Sequence, residues 1–172
     1  VGMPTETVYG LAANALDAFA VGNIFRTKDR PANNPLIVHI FGTRMALECI
    51  RAWTPEMEKL ATAFWPGPLT MVTWKSDKIP DEVTAGGKTV GIRWPWHPFF
   101  QKVIRNCGFP VAAPSANPAN FLSPTTAEHV LSGLSGKIPL IVDGGASAVG
   151  LESTVVDLTV NPPRILRPGM IS

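Results

Sequence analysis

The chain has 172 residues, of which 45% are hydrophobic and 16% charged, and its formal net charge is +2. That length fits one domain, and those fractions exclude a coiled coil, a disordered tail and a highly charged nucleic-acid module. Cys49 and Cys107 are far apart and lack metal-site spacing, and no apolar run approaches ~18 residues, so a disulfide scaffold, a structural zinc site and a membrane span are not expected. In chain order, Val1 to Met3 reads as the tail of a strand. Asp17 can cap a helix with Ala18, Val21, Ile24 and Phe25 on one face, stopping before Pro31. Pro35 to Ile40 is a near-continuous apolar run, hence a buried strand. Thr43 starts a short helix, and Thr54-Pro55 starts another that runs to about Phe64. Leu69 to Trp74 and Thr89 to Trp94 read as strands, with the loop-like stretch Ser76 to Lys88 between them. A helix over Pro98 to Asn106 is ended by Gly108, and a short strand follows at Val111 to Ala113. Thr125-Thr-Ala-Glu128 has the form of a capping box for a helix through Val130 and Leu134. Leu140 to Val142, Thr154 to Leu158 and Arg164 to Leu166 complete the strands. Several connections are too brief for a crossover helix, which predicts a mixed sheet in an α/β domain.

The chain has no P-loop, no dinucleotide fingerprint, no nucleophile elbow and no zinc-protease helix. His39, His97 and His129 are scattered, and Asp143 with Glu152 is a weak metal pair. The cations are more informative. Lys28-Asp-Arg30-Pro31, Arg93-Trp-Pro95 and Arg167-Pro168 each place a cation at the end of an element, with proline close behind. Such ends converge on the crevice where α/β sheets bind ligands, and an arginine fork matches phosphate or carboxylate. Taken singly, each is an ordinary surface cation. Three polar clusters also adjoin strands: Thr5-Glu-Thr7 with Tyr9, Ser115-Ala-Asn117, and Glu152-Ser-Thr154. Each alone could be turn chemistry, but together they make a pocket. His39 can be either a satisfied buried histidine or a ligand contact. The residues therefore suggest an anion site for a phosphorylated ligand and leave the substrate unnamed.

The same residues resemble a known family. Pro4-Thr-Glu-Thr-Val-Tyr-Gly-Leu11, Lys28-x-Arg30-Pro31, Asn34-Pro-Leu-Ile-Val-His39, Pro66-Gly-Pro-Leu-Thr70 and Arg93-x-Pro95 occur in family order. Pro114-Ser-Ala-Asn117, Ser123-Pro-Thr125, Gly150-Leu-Glu-Ser-Thr-Val155 and Arg167-Pro-Gly169 continue it. The set resembles the YrdC/Sua5 family of threonylcarbamoyl-AMP synthases over essentially the whole chain, with the Asn34–His39 stretch closer to the Sua5 branch. The resemblance implies an α/β fold: a single twisted mixed-sheet domain of the YrdC/RibB-like type, with a deep positively charged cavity. It implies cytoplasmic synthesis of threonylcarbamoyl-AMP and pyrophosphate from ATP, L-threonine and bicarbonate, a nucleotidyl transfer. Magnesium is expected as the cofactor, arriving with ATP rather than in a protein cage. A downstream threonylcarbamoyl-transferase complex would then modify tRNA beside the anticodon.

By resemblance, Thr7, His39, Arg93, Ala113 and Ser153 match threonine-side positions, with Arg93 facing the threonine carboxylate. Arg30, Asn34, Thr89, Ser115, Asn117, Ser123 and Arg167 are expected on the nucleotide side. Lys28 and Arg30 are expected to act on phosphate charge, both outside the core. Two other readings stay open: a domain forming carbamoyl-adenylate from carbamoyl phosphate, as in hydrogenase-maturation proteins, and a module binding tRNA or double-stranded RNA. Three departures from the family pattern stand out. The strand before Pro4 is nearly absent, as in a clipped N-terminus. Asn120 stands where the family often has glycine; if the position needs a positive φ, asparagine tolerates it better than most residues. The sequence ends at Ser172, so residues 1–172 are expected to be the YrdC-like domain without the Sua5 linker and second domain.

Overall fold

A computed structural model describes residues 1–171. Seven strands form one mixed sheet in the order β3(Ala13–Asn14), β7(Val111–Ala112), β4(Ile37–His39), β6(Thr89–Arg93), β5(Leu69–Trp74), β8(Thr154–Asp157), β9(Arg164–Arg167). The β4/β6 and β5/β8 pairs are parallel and the other pairs are antiparallel. β1(Gly2–Met3) and β2(Gly10–Leu11) form a separate antiparallel pair. The mixed sheet expected from the short connections is present.

Local chemistry accounts for the helices. In α1(Ala18–Lys28), Asp17 accepts from the amides of Phe19 and Ala20. The helix stops at Lys28 because Asp29 turns left-handed, at φ 52°. α2(Gly42–Cys49) is followed by α3(Pro55–Phe64), where Thr54 caps the Met57 amide and Pro55 fills the first turn. α5(Pro98–Cys107) is capped by His97 and ends at Gly108, at φ 72°, where the absence of a Cβ permits the turn. α6(Ala127–Leu134) corrects the expected capping box by one position. Thr126 accepts from the His129 amide, whereas the Thr125 carbonyl is engaged by the Ser147 amide.

Three other expectations change. The Ser76–Lys88 stretch contains a short helix, α4(Asp81–Thr84), closed by Ala85 at φ 54°. Leu140 to Val142 forms only a single bridge, Ile141 to Gly2, rather than a strand. β2 and β3 occupy residues to which the sequence pattern assigned no element. Asn120 does adopt a positive φ, 68°.

Strand alternation gives the sheet two different faces. Val38, Met71, Val90 and Ile92 point into one buried cluster with Val21 and Ile24 of α1, Ala46 and Cys49 of α2, and Met57 of α3. Each valine, isoleucine or methionine among them contributes about 1.5–3 kcal/mol on burial. The intervening positions Ile37, His39, Thr70, Val72, Thr89, Gly91 and Arg93 face the other way and line a cavity. A smaller cluster of Met3, Phe100, Ile104, Val111 and Ala113 closes one end of that face, and Phe100 packs on the His39 ring at 5.4 Å between centroids.

Candidate active site

The cavity has a volume of about 540 Å³. Its floor is the strand face just described. Its walls are the turn after β1, the segment after α1, the loop after β7 and the Glu152–Ser153 approach to β8. Ten predicted site residues line it: Thr7, Arg30, Asn34, His39, Thr89, Arg93, Ala113, Ser115, Ser153 and Arg167.

One set of lining residues is polar and buried. Thr7, His39, Thr70, Arg93 and Ser153 are all at most 3% exposed. Arg93 donates from Nε to the Gly67 carbonyl at 3.2 Å, from Nη1 to Thr7 Oγ1 at 3.0 Å and from Nη2 to Glu6 Oε1 at 2.5 Å. Guanidinium has five N–H groups, so two remain for a ligand. Glu6 is buried too, and its Oε2 has no partner. Burial pushes the Arg93 pKa down while Glu6 holds it up. Burial, and then the Arg93 charge, push His39 down to about 3. His39 is therefore a neutral imidazole, and its Nδ1 has no partner.

Arg30 and Arg167 are the half-buried cations of the lining. Arg30 donates to the carbonyls of Asn34 and Pro35, both at 3.1 Å. Arg167 donates to the Ser153 carbonyl, to Ser153 Oγ at 3.0 Å and to the Glu152 carboxylate. Ser153 Oγ also meets Thr70 Oγ1 at 2.8 Å, so Ser153 joins Arg167 to the buried polar set. Two of the three guanidiniums thus have carboxylate partners, and Arg30 alone lacks one among the described residues.

Three predicted residues lie behind the lining. Lys28 is 1% exposed and belongs to the interior, contrary to the expectation that it stands outside the core. Its ammonium donates to the carbonyls of Ser115 and Asn117 and, at 3.4 Å, to Asn117 Oδ1. Burial lowers its pKa to about 8, and Arg30 adds to the shift. All three ammonium protons have acceptors, so Lys28 braces the Ser115–Asn117 loop. Asn117 donates to the Phe121 carbonyl at 2.6 Å, and Ser123 donates to Glu152 Oε1 at 2.9 Å.

The sequence reading did not single out Glu6, Thr70, Gly91 or Glu152 for this site. Glu6 lay inside a recognised Thr-Glu-Thr cluster, and its partner Arg93 was also recognised, but only the fold joins them. Gly91 leaves no residue-type signal; a Cβ there would stand 3.2 Å from Thr70 Cγ2. Among the described residues no group of three metal-ligating side chains exists, and no helix is long and apolar enough to cross a membrane. What the site offers is fixed donors and charge, suited to orienting anionic groups.

A family model described as "Telomere recombination", Sua5_yciO_yrdC, matches residues 1–169. The threonylcarbamoyl-AMP synthase of Pyrococcus abyssi is 51% identical over 169 residues, covering 98% of this chain and 50% of that protein. The Bacillus subtilis threonylcarbamoyl-AMP synthase is 49% identical over 174 residues, covering 100% of this chain and 50% of that protein. The crystal structure of P. abyssi Sua5 complexed with L-threonine superposes with a TM-score of 0.96 at 50% identity, covering 98% of this chain and 49% of that one. The chain thus spans about half the length of these relatives. With matched residues running through every wall of the cavity, the chain belongs to the Sua5/YciO/YrdC family.

Proposed function

We propose that this chain is the synthase domain of an enzyme that makes L-threonylcarbamoyl-AMP from ATP, L-threonine and bicarbonate. The observation that carries this reading is one cavity lined by three guanidiniums. Arg93 is buried with two free N–H groups, and Arg30 and Arg167 are half-buried. The naming of relatives at about half identity and the threonine complex of P. abyssi Sua5 support it.

The threonine amine and bicarbonate condense to a carbamate with loss of water. A carbamate oxygen attacks the α-phosphorus of ATP, the bond from that phosphorus to the bridging oxygen breaks, and pyrophosphate leaves with the electron pair. No enzyme nucleophile is required. Arg93 takes the threonine carboxylate in a forked contact, while Thr7, neutral His39, Ser153 and the Ala113 backbone enclose the rest. Arg30 and Arg167 neutralise phosphate charge, and Asn34, Thr89 and Ser115 line the nucleotide end. Asn117 and Ser123 hold that end from behind, and Lys28 fixes the loop that carries Ser115.

Among the described residues the lining holds a single carboxylate, Glu152, already bound to Arg167, so these residues provide no cage for a metal ion. This donor set fits magnesium that enters on the nucleotide phosphates and keeps its waters. The adenylate would pass to a transferase acting on tRNA.

The test is pyrophosphate release by the full-length protein and by the 172-residue chain. ATP and magnesium are supplied, and threonine and bicarbonate are omitted in turn. Release that needs both is expected. Turnover that ignores threonine but responds to carbamoyl phosphate would overturn the reading in favour of carbamoyl-adenylate chemistry.

A further inference from the structure

The three guanidiniums of the cavity are held differently. The Arg93–Glu6 pair is sealed, with both side chains 4% exposed. Arg30 donates only to backbone carbonyls. The Arg167–Glu152 pair is open, with both side chains 37% exposed. Among the described residues, Glu152 is the only acidic one in the cavity lining. Its Oε2 accepts from Arg167 Nη1 and its Oε1 accepts from Ser123 Oγ. The rest of the Arg167 fork is fixed on Ser153 through Nε and Nη2. The Nη1 edge is therefore the part of Arg167 that a cavity ligand can take, and Glu152 sits on it. A carboxylate and a phosphate compete for the same planar donor edge.

We propose that Glu152 is a displaceable counter-anion of Arg167. A phosphate group entering the cavity takes the place of Glu152 on Nη1, and the carboxylate returns when the anion leaves. The inference rests on the assignment of Arg167 to the phosphate end. The exchange is feasible at this pair and not at Glu6, because a solvent-open ion pair is weakly held and its released carboxylate regains water. Its consequence is a phosphate end that never binds its anion at full strength, which favours release of pyrophosphate.

The test is calorimetric titration of metal-free inorganic pyrophosphate into the full-length protein at low salt. Glu152→Gln and Glu152→Ala are compared with the parent, and Glu152→Gln is repeated in an Arg167→Ala background. Both single variants should bind pyrophosphate roughly two- to fivefold tighter than the parent, the worth of one exposed ion pair. The gain should vanish when Arg167 is absent. Unchanged or weaker binding in both variants overturns the exchange. An equal gain with and without Arg167 also overturns it, because Glu152 would then act only by repulsion across the cavity. If the parent itself fails to bind pyrophosphate, the phosphate-end assignment falls and takes the exchange with it. If the parent binds and the variants do not tighten, only the exchange falls. Melting temperatures of both variants confirm that affinity is compared between folded proteins.

Discussion

Lys28 and Arg30 are two positions apart, yet they do different work. Lys28 Nζ saturates acceptors on Ser115 and Asn117 inside the protein, whereas Arg30 is partly exposed and faces the cavity. Lys28→Ala should strand buried carbonyls and cost about 1–3 kcal/mol, lowering the melting temperature by several degrees. Arg30→Ala should abolish most turnover while leaving the melting temperature nearly unchanged. Thermal unfolding and pyrophosphate release on both variants check the contrast. A Lys28→Ala protein of parental stability would return Lys28 to the phosphate role first expected of it.

His39 makes a prediction about pH. Its pKa drops from 6.5 to about 3 on folding, because burial and Arg93 both disfavour the charged ring. Between those values the unfolded chain binds a proton that the native state refuses. Stability is therefore complete above the unfolded value and declines as pH falls, by at most ~1.4 kcal/mol per pH unit from this group. Denaturant unfolding between about pH 4 and pH 7 should show a shallower slope for His39→Leu than for the parent. Equal slopes would show that His39 is not the neutral buried group described here.

Helix ends depend on groups a few residues apart, so most of them were readable in advance. Asp17 before Ala18, Thr54 before Pro55, and Gly108 after α5 all hold in the structure. The exception tests the rule. Thr125 and Thr126 are adjacent, both can cap, and Glu128 favours the first. Yet contacts from Ser147, 22 residues away by subtraction of the numbers, engage Thr125 and leave Thr126 as the cap. Thr126→Ala should cost about 1 kcal/mol, and Thr125→Ala should cost less. Chemical denaturation of the two variants decides which threonine caps α6. The two-residue strands β2 and β3 had no comparable local signal. β3 exists only because a distant partner, Val111–Ala112, arrives beside it, and β2 depends on pairing back onto Gly2–Met3. The same limit applies to the site. Proline after a cation marked Arg30, Arg93 and Arg167, but nothing near Lys28 in sequence announces acceptors 87 and 89 positions away. Glu6 and Glu152 were invisible as counter-ions for the same reason: a charge pair across the fold has no spacing to read.

The whole molecule is a sheet used on both faces, with residues of opposite parity committed to core and cavity. That division makes the cavity floor as rigid as the core behind it, since Val38 and Ile92 anchor the strands that present His39 and Arg93. It also makes the floor intolerant of added bulk at one point. Gly91 lies opposite Ile37 in the parallel pair and opposite Val72 in the antiparallel pair, midway between Thr89 and Arg93 on the cavity face. A side chain there would meet Thr70 Cγ2 at 3.2 Å, Val72 Cγ2 at 3.7 Å and Ile37 Cγ1 at 3.8 Å, and then extend into the cavity that Gly91 lines. β-Branched residues suit a strand, so Gly91→Val should keep the fold and offset its tight contact through better strand propensity. The same methyl groups would intrude among the donors proposed for threonine and the cations proposed for phosphate. Calorimetry should therefore show weakened binding of ATP and threonine together, with an unfolding transition close to the parent's. Parental affinity for both ligands in a folded Gly91→Val protein would mean that they do not meet across this strand, and the cavity floor would have to be assigned to another ligand.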